Sequence, residues 1–370
     1  MGKRPRDSKA QLDLFALDLQ PSQHQLAAPG PAETVHLPGL LAATAQPPVA
    51  TQPPAVVQPS AAAPSMRVPP VIDGDRKALT SRMSADDIAE RVAETWYRQR
   101  AGDGISVCMG IMAGLTLLRK TARDGTDVAT FILSLDKAEL LEFHRRIWGH
   151  LWVRHPYLID CARPIHEWLN EAQDPPGQVV DAIHAVTHTA IRSGLLHLTG
   201  QDDPSFRCDV DVLGRVLTQM RSPGARDAMS EYHTSPEVAD LLAAIVFTGE
   251  YLEPGHWYDD PAAGTGGLFR AAALAMRMRG ADPRQCGWSM GDLDPIASAC
   301  AAVNALVWEL GPNVLVWCGD TLAVGDGPAR ARKRRAEVLE HHEHMMSIAS
   351  MAAAVKQTQI LLGMVEQGAA

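Results

Sequence analysis

The stretch that decides the fold is Asp259-Asp260-Pro261-Ala262-Ala263-Gly264-Thr265-Gly266-Gly267, which separates a strand-like segment from a helix-like one. Gly264 and Gly266 have no Cβ atom, so they permit unusual backbone dihedrals and let a ligand approach the main chain closely. The following helix presents free N–H groups at its positively polarised end. The spacing is not G-x-G-x-x-G, because Phe269 stands where the third glycine would be, and it is not a P-loop, because no Gly-Lys-Ser/Thr follows.

Two more strand-like segments end in acidic residues. One ends in Gly291-Asp292-Leu293-Asp294-Pro295 and the next in Gly319-Asp320-Thr321-Leu322. A carboxylate at 292 is placed to accept hydrogen bonds from ribose hydroxyls, and one at 320 can accept a bond from the exocyclic amine of a purine. Because the carboxyl ends of parallel strands meet at one edge, the three tips predict a nucleoside-binding crevice. The plainer alternatives are a structural turn at the glycines, a helix N-cap at Asp292 and a solvated acid at Asp320.

Strand-like and helix-like patterns alternate from residue 209 onward. Alternation at this spacing predicts parallel βαβ units. Pro236 suits the first turn of a helix. The predicted strands are 256–258, 287–290 and 314–317, and the predicted helices are 211–221, 237–248, 268–279 and 295–310.

Residues 76–205 show helical patterns and no sustained alternation of period two, so we predict an all-helical N-terminal domain. Folded sequence begins near Ser84, which has the character of an N-cap because acids follow in the first turn. Turn signals such as Asp124-Gly125 and Pro175-Pro176-Gly177 separate the helices. The predicted helices are 88–100, 105–120, 137–150, 164–172 and 179–196.

The two ends of the chain differ in composition from its centre. Residues 1–75 hold thirteen of the 26 prolines, in Ala- and Gln-rich runs, so we predict a disordered arm. Residues 327–370 begin with a basic run, Arg330 to Arg335, and continue as a predicted helix. The formal net charge of −9 argues against a protein that coats nucleic acid, but it allows DNA binding through a local basic face.

Cysteine use and hydropathy limit the class of protein further. The six cysteines are scattered without a C-x-x-C pair, which excludes a disulfide scaffold and a zinc ribbon and is typical of a reducing compartment. No apolar h-region follows the N-terminus, and the longest apolar stretch, 105–118, is too short to span a bilayer, so we predict a cytoplasmic protein without a membrane partner. No metal site is predicted, because neighbouring helix positions point in different directions at His341, His342 and His344.

Five motifs, in order, resemble those of S-adenosylmethionine-dependent, adenine-specific DNA methyltransferases, in particular the modification subunits of type I restriction systems. The resemblance covers about residues 209–322. The patterns matched are the family's helix before the cofactor domain and then its Tyr-Thr-Pro-Pro-Glu-Val-Ala, Asp-Pro-Ala-Cys-Gly-Thr-Gly-Gly, Glu-Ile-Asp-Pro and Gly-Asp-Thr-Leu segments. The matching segments here are Asp211–Gly214, His233–Ala239, Asp260–Gly267, Asp292–Pro295 and Gly319–Leu322.

The resemblance implies an α/β fold in which the helical N-terminal domain is followed by a partial, C-terminally truncated, Rossmann-like methyltransferase domain at 206–326. It implies S-adenosylmethionine as cofactor and DNA as partner. The segment at 233–239 would hold the methionine end of the cofactor, the glycine loop its centre, Asp292 the ribose, and Asp320 the adenine. The cofactor-binding residues that it implies are Thr234, Pro236, Asp260, Pro261, Ala262, Gly264, Gly266, Asp292, Asp320 and Thr321.

The family's catalytic segment, Asn/Asp-Pro-Pro-Tyr/Phe, is missing after Leu322, so no catalytic residue is assigned. Asp174-Pro175-Pro176-Gly177 is better read as a turn, because a glycine cannot stack on a base and no apolar strand precedes it. Two functions stay open. One is an adenine-N6 DNA methyltransferase in DNA modification that is incomplete on its own. The other is a non-catalytic accessory module associated with DNA or the sliding clamp. Either would need its sheet edge covered by the C-terminal helices or by a partner chain.

A second short signal lies in the arm, at Gln11-Leu12-Asp13-Leu14-Phe15. It resembles the peptide that binds the bacterial sliding clamp, in which a glutamine, a spaced leucine and a Leu-Phe pair fill a polar site beside an apolar pocket. A docking peptide suits a disordered position. The alternative is that these apolar residues form a short helix, and the sequence favours neither interpretation.

Overall fold

The computed structural model describes residues 35–36, 84–100, 104–171, 173–221, 234–247, 254–323 and 325–368. Fourteen helices lie in these ranges. Two 3-10 helices, Glu167–Asn170 and Pro283–Gln285, accompany them. The α-helices are α1 Ala85–Arg98, α2 Ile105–Thr116, α3 Val128–Leu133, α4 Lys137–Arg154, α5 Pro156–Cys161, α6 Arg163–His166, α7 Gly177–Arg192, α8 Leu195–Thr199, α9 Pro204–Arg207, α10 Val212–Met220, α11 Pro236–Val246, α12 Gly267–Met278, α13 Pro295–Val307 and α14 Gly327–Gly368.

The described strands form one parallel sheet in the order β1-β2-β3-β4. Three of them alternate with helices as the sequence predicts, and Trp257 pairs with Gly287 while Asp292 pairs with Cys318. The prediction of an α/β chain with a parallel sheet is thereby confirmed. The strands are β1 Val35–His36, β2 Trp257–Asp260, β3 Gly287–Asp292 and β4 Val314–Cys318.

Helices cover both faces of the sheet. On one face, the α12 ring of Phe269 packs edge-on against Trp288 of β3, with ring centroids 5.5 Å apart. On the other face, the first turns of α14 cover two tryptophans, and the Arg332 guanidinium lies 5.3 Å from the ring centre of Trp257. A Cβ atom at Gly291 would stand 2.4 Å from the second of these rings, Trp317, so glycine lets that ring lie flat on the strand.

The N-terminal helices and the sheet share one continuous apolar core. Helix α1 begins at the predicted N-cap, where the Ser84 hydroxyl and the Asp87 carboxylate each accept the other's backbone N–H. Polar contacts also cross between the two parts, because Glu309 accepts hydrogen bonds from Arg119 and Arg207. The region after β2 therefore packs directly against the N-terminal helices and is not connected to them by a linker alone.

Two different elements of the chain meet the edges of the sheet, and the expectation that a partner chain covers an edge stays a prediction. At the β4 edge, the Tyr157 hydroxyl of α5 donates to the Val316 carbonyl and accepts from the Val316 N–H, both at 3.0 Å. One phenol thus satisfies the backbone groups that would recruit a further strand. At the β2 edge, the two residues of β1 pair in parallel with Tyr258 and Asp259.

The rest of the predicted arm, including Gln11-Leu12-Asp13-Leu14-Phe15, lies outside the described residues, so its disorder stays a prediction there. Residues 327–368 form the single helix α14. No helix in the described ranges combines the length and the apolar character that crossing a bilayer requires.

Candidate functional site

The glycine loop after β2 is held in place by hydrogen bonds to the neighbouring strand. Asp260 ends β2 and accepts the Ala262 N–H through Oδ1 at 3.0 Å. The Ala263 N–H donates to the Gly291 carbonyl of β3 at 2.8 Å. Gly264 and Gly266 have φ angles of +57° and +93°, a region that disfavours side chains, and this explains both glycines. The loop is thus fixed at the carboxyl edge of the sheet.

A cluster behind the loop fixes it to two helices. Asp211, the N-cap of α10, accepts the Gly214 N–H and the Thr265 hydroxyl. Asn304 of α13 donates through Nδ2 to the same Asp211 carboxylate at 2.9 Å and to the Thr265 carbonyl at 2.8 Å. Sequence reasoning missed this role of Asp211 and Asn304. The signal available was an asparagine in an otherwise apolar helix, where a buried amide needs partners.

The tip of β3 lies against the loop. Asp292 accepts the Gly264 N–H through Oδ2 at 2.7 Å and the Asp294 N–H through Oδ1 at 2.9 Å. Each carboxylate oxygen has a second acceptor position, so the group can still bind hydroxyl donors. The alternative N-cap role belongs instead to Asp294, which accepts the Ile296 and Ala297 N–H groups.

Asp294 is buried and pairs with the buried guanidinium of Arg221. Between the two acids, Leu293 is 67% exposed. A large apolar side chain at this place offers a flat contact for a base, which the sequence reasoning did not assign.

Asp260 carries the site's perturbed carboxyl group. Burial raises the pKa of Asp260 to about 6; the nearby carboxylates of Asp259 and Asp292 add to this rise, and the Ala262 N–H opposes it. The hydrogen bonds from Gly264 to Asp292 and from Ala263 to Gly291 bring the first two predicted tips together. A carboxyl group that titrates near neutrality at a strand tip is a frequent property of functional sites.

The third tip, after β4, is more open. The Gly319 N–H donates to the Asp292 carbonyl at 2.9 Å, which brings this loop beside β3. Asp320 is exposed and accepts the Leu322 and Ala323 N–H groups at 2.9 and 3.2 Å. Thr321 is half-buried, and Leu322 is 99% exposed. In the described chain Asp320 is therefore a local turn former at the rim.

The segment that begins α11 is exposed at Thr234. Ser235 is the N-cap of this helix, and Pro236 stands in its first turn as predicted. An ion pair of 2.6 Å between Asp240 and Arg270 joins the early turns of α11 and α12. Pro236 therefore belongs to the helix that lies beside the glycine loop's helix, and Thr234 directly precedes the N-cap of that helix.

The loop has room for a bound group. A Cβ atom built at Gly264 would meet no protein atom within 4 Å. Helix α12 has no side-chain cap at Gly266, whereas α10, α11 and α13 are capped by Asp211, Ser235 and Asp294. The first N–H groups of α12 are thus available to a ligand, as at the helix ends that bind anionic groups. These residues fit a polar, nucleoside-containing cofactor.

Other candidate features have structural explanations. Asp174 pairs with Arg145 at 2.6 Å in the turn before α7, which agrees with its interpretation as a turn. Each member of the basic run has an intramolecular contact: Arg330 with Asp326, Arg332 with Trp257, Lys333 with Glu337, Arg334 with Asp160, and Arg335 with Tyr157. Within the described ranges, no group of three His, Cys, Asp or Glu side chains could hold a metal ion.

No family model and no curated protein matches the chain. Among solved structures, a type I restriction-modification system methyltransferase subunit from Streptococcus thermophilus is similar at 16% identity and a TM-score of 0.37. The similar region covers 68% of this chain and 58% of that subunit, so the chain spans less than two thirds of its length. A similarity this distant carries no argument about function, and the site must be judged on its own geometry.

Proposed function

We propose that the strand tips of this chain bind S-adenosylmethionine and that the chain is a DNA adenine-N6 methyltransferase-like protein, incomplete on its own. The observation that supports cofactor binding best is the hydrogen bond from the Gly264 N–H to the Asp292 carboxylate. It brings the open glycine loop and the acid after β3 to one place, at the edge where parallel α/β sheets bind nucleosides. The order of the five motifs supports the same cofactor.

Each part of the site has a role in this proposal. Thr234 and Pro236 would hold the methionine end of the cofactor, and the uncapped first turn of α12 with the open backbone at Gly264 would hold its centre. Asp292 would accept bonds from the ribose hydroxyls, and the exposed side chain of Leu293 would contact the adenine face. The cofactor, when bound, supplies an activated methyl group. Both turn hydrogen bonds of Asp320 go to Oδ1, so Oδ2 would accept the adenine amine.

The missing catalytic segment favours a second polypeptide as part of the active enzyme. In doubly wound sheets of order 3-2-1-4, the strand beside the first one comes from the second half of the fold. In this chain the two residues of β1 take that position beside β2. A partner strand that carries an Asn-Pro-Pro-aromatic segment would replace them in the active assembly.

Transfer of a tritiated methyl group to unmethylated DNA distinguishes catalysis from an accessory role. Methyl incorporation that disappears in Gly266→Trp supports catalysis by the chain alone. Incorporation that requires an added partner polypeptide supports the incomplete enzyme. Cofactor binding without incorporation under either condition would favour the accessory module, whose clamp association a pull-down of wild type against Gln11→Ala/Phe15→Ala would test.

A further inference from the structure

Helix α7 carries two histidines on one face. His184 and His188 are four residues apart, the spacing at which side chains of an α-helix meet. Their imidazole rings are in contact, with ring centres 4.0 Å apart and planes inclined by 30°, and both side chains are half-buried. The Nε2 atom of His188 is buried and makes no hydrogen bond within the described residues. A buried ring nitrogen of this kind is a position for a bound water or ion.

The charge state of the two rings suits metal binding. Burial lowers the pKa of His184, and the positive charge of Lys137 adds to this effect, whereas the Asp181 carboxylate opposes it. Burial also lowers the pKa of His188, and the neighbouring His184 ring and Arg192 act in the same direction. Both imidazoles are therefore neutral at neutral pH, and a neutral imidazole keeps the ring lone pair that binds a metal ion.

The acid one turn earlier on this face is already engaged. Asp181 pairs with Lys137 at 2.6 Å, and both of these side chains are about half exposed. Within the residues that the structure describes, no third His, Cys, Asp or Glu side chain completes a group that could hold a metal ion. A site here therefore has two protein ligands and leaves the other coordination positions to water, unlike a closed structural zinc site.

Other histidines of the helical part have protein partners for a ring nitrogen. The Nε2 atom of His144, which is buried, lies 3.0 Å from the Thr187 hydroxyl. The Nε2 atom of His166 lies 2.9 Å from the Ile159 carbonyl, and its ring stacks on Trp148. These rings are fixed by the protein, in contrast to the pair on α7.

We propose that His184 and His188 chelate a divalent metal ion of the class that prefers nitrogen ligands, such as Zn²⁺. Imidazole binds Zn²⁺, Ni²⁺ and Cu²⁺ well, whereas Mg²⁺ and Ca²⁺ prefer oxygen. Two histidines at positions i and i+4 of one helix are the arrangement by which zinc-binding helices present two ligands to one ion. Rotation of the rings about χ2 would direct one nitrogen of each to the same ion, at about 2.1 Å. The site uses none of the residues of the proposed cofactor site.

Isothermal titration of the full chain with Zn²⁺, in a buffer that does not bind metal, tests the proposal. His184→Gln and His188→Gln should each raise the dissociation constant of one site at least about tenfold, because the two ligands act together on one scaffold. His341→Gln/His344→Gln is the matched control, since it removes two exposed histidines one turn apart on α14 and should change that constant by less than about threefold. Circular dichroism of each variant checks that the helices are retained.

A second variant tests the spacing of the two rings. Asp181→His with His184→Gln keeps the number of histidines but places the two rings about 10 Å apart along the helix, too far to share an ion. It should bind Zn²⁺ as weakly as His184→Gln does. The ion pair that it removes is exposed, so the fold should be retained.

Thermal unfolding supplies a readout that does not depend on heat of binding. Zn²⁺ should raise the unfolding midpoint of the wild type more than that of His188→Gln, because the ion binds the folded helix. Wild-type chain that gains neither heat nor stability with Zn²⁺ would overturn the proposal. So would an equal loss of affinity in His341→Gln/His344→Gln and His188→Gln, or wild-type affinity in the variant with the two rings separated.

Discussion

The loop after β2 and the loop after β4 resemble family motifs equally well in sequence, yet their surroundings differ. The first is tied to β3 through Gly264, and to α10 and α13 through Thr265. The second is held mainly by its own turn, in which Asp320 accepts two nearby N–H groups. Its apolar residue Leu322 is almost fully exposed.

The chain thus preorganises one side of the proposed cofactor site and leaves the other open. The preorganised side is the one supported by helices that the chain itself supplies. The open side faces solvent in this chain, beside the tip of β3. Four substitutions test whether the loop after β2 is indeed the rigid one.

The largest effect on stability should come from Asp211→Ala, which removes the carboxylate that holds the loop after β2 through hydrogen bonds. Thr265, Asn304 and the Gly214 N–H each lose a hydrogen-bond partner in a part-buried place. We expect a loss of about 3 kcal/mol in the free energy of unfolding, measured by urea denaturation. A loss below about 1 kcal/mol would show that the cluster does not hold the loop.

The next largest effect on the free energy of unfolding depends on pH and comes from Asp260. Its pKa rises from 3.8 to about 6 on folding, so between these values the folded state binds more protons than the unfolded state. Stability from this group is therefore fully present below pH 4 and is lost as the pH rises past 6, by up to about 3 kcal/mol.

Asp260→Asn removes this dependence and is the control for all other titrating groups. The difference in unfolding free energy, wild type minus variant, should fall as the pH rises from 4 to 7. A difference that stays flat over this interval would contradict the raised pKa.

A smaller loss of stability is expected for Gly266→Ala. Its φ of +93° strains any side chain, and the added Cβ would lie 3.1 Å from the Trp308 ring. We expect about 2 kcal/mol of destabilisation in thermal or urea unfolding. Gly267→Ala, one residue later, is helical and open on all sides, so it should be neutral or slightly stabilising. Equal losses in both variants would mean that the conformation of Gly266 is not the cause.

The smallest effect on stability is expected for Asp320→Ala in the loop after β4. The side chain is exposed and holds only a local turn, so the free energy of unfolding should change by less than about 0.5 kcal/mol. Its effect on cofactor affinity should be larger than its effect on folding. A loss of stability as large as that of Asp211→Ala would remove the contrast between the two loops.

The sequence predicted regular elements well wherever hydrophobic period and turn signals agreed. The three strands β2, β3 and β4 and the start of α11 lie within two residues of their predicted bounds, and α1 begins at the predicted N-cap, Ser84. A predicted helix was wrong where the sequence signal for its end was weak. The segment predicted as one helix over 179–196 is broken at Gly194, whose φ is +89°.

The supports of the site could not be predicted, because they depend on residues far apart in the chain. Arg221 meets Asp294 across 73 positions, and Tyr157 meets Val316 across 159. No local pattern marks a tyrosine as the cap of a sheet edge. Likewise, the sequence marked Asp292 as a nucleoside ligand, but only the fold shows that the same carboxylate also holds the glycine loop.

Isothermal titration of the full chain with S-adenosylmethionine is the direct test of whether the tips of β2 and β3 bind this compound. We expect saturable one-to-one binding that is weakened at least about tenfold in Asp292→Asn, whereas Asp203→Asn, which changes an exposed acid at the start of α9, should bind like wild type. Folded wild-type chain that releases no heat and gains no thermal stability with the compound, or Asp292→Asn that binds as tightly as wild type, would contradict it.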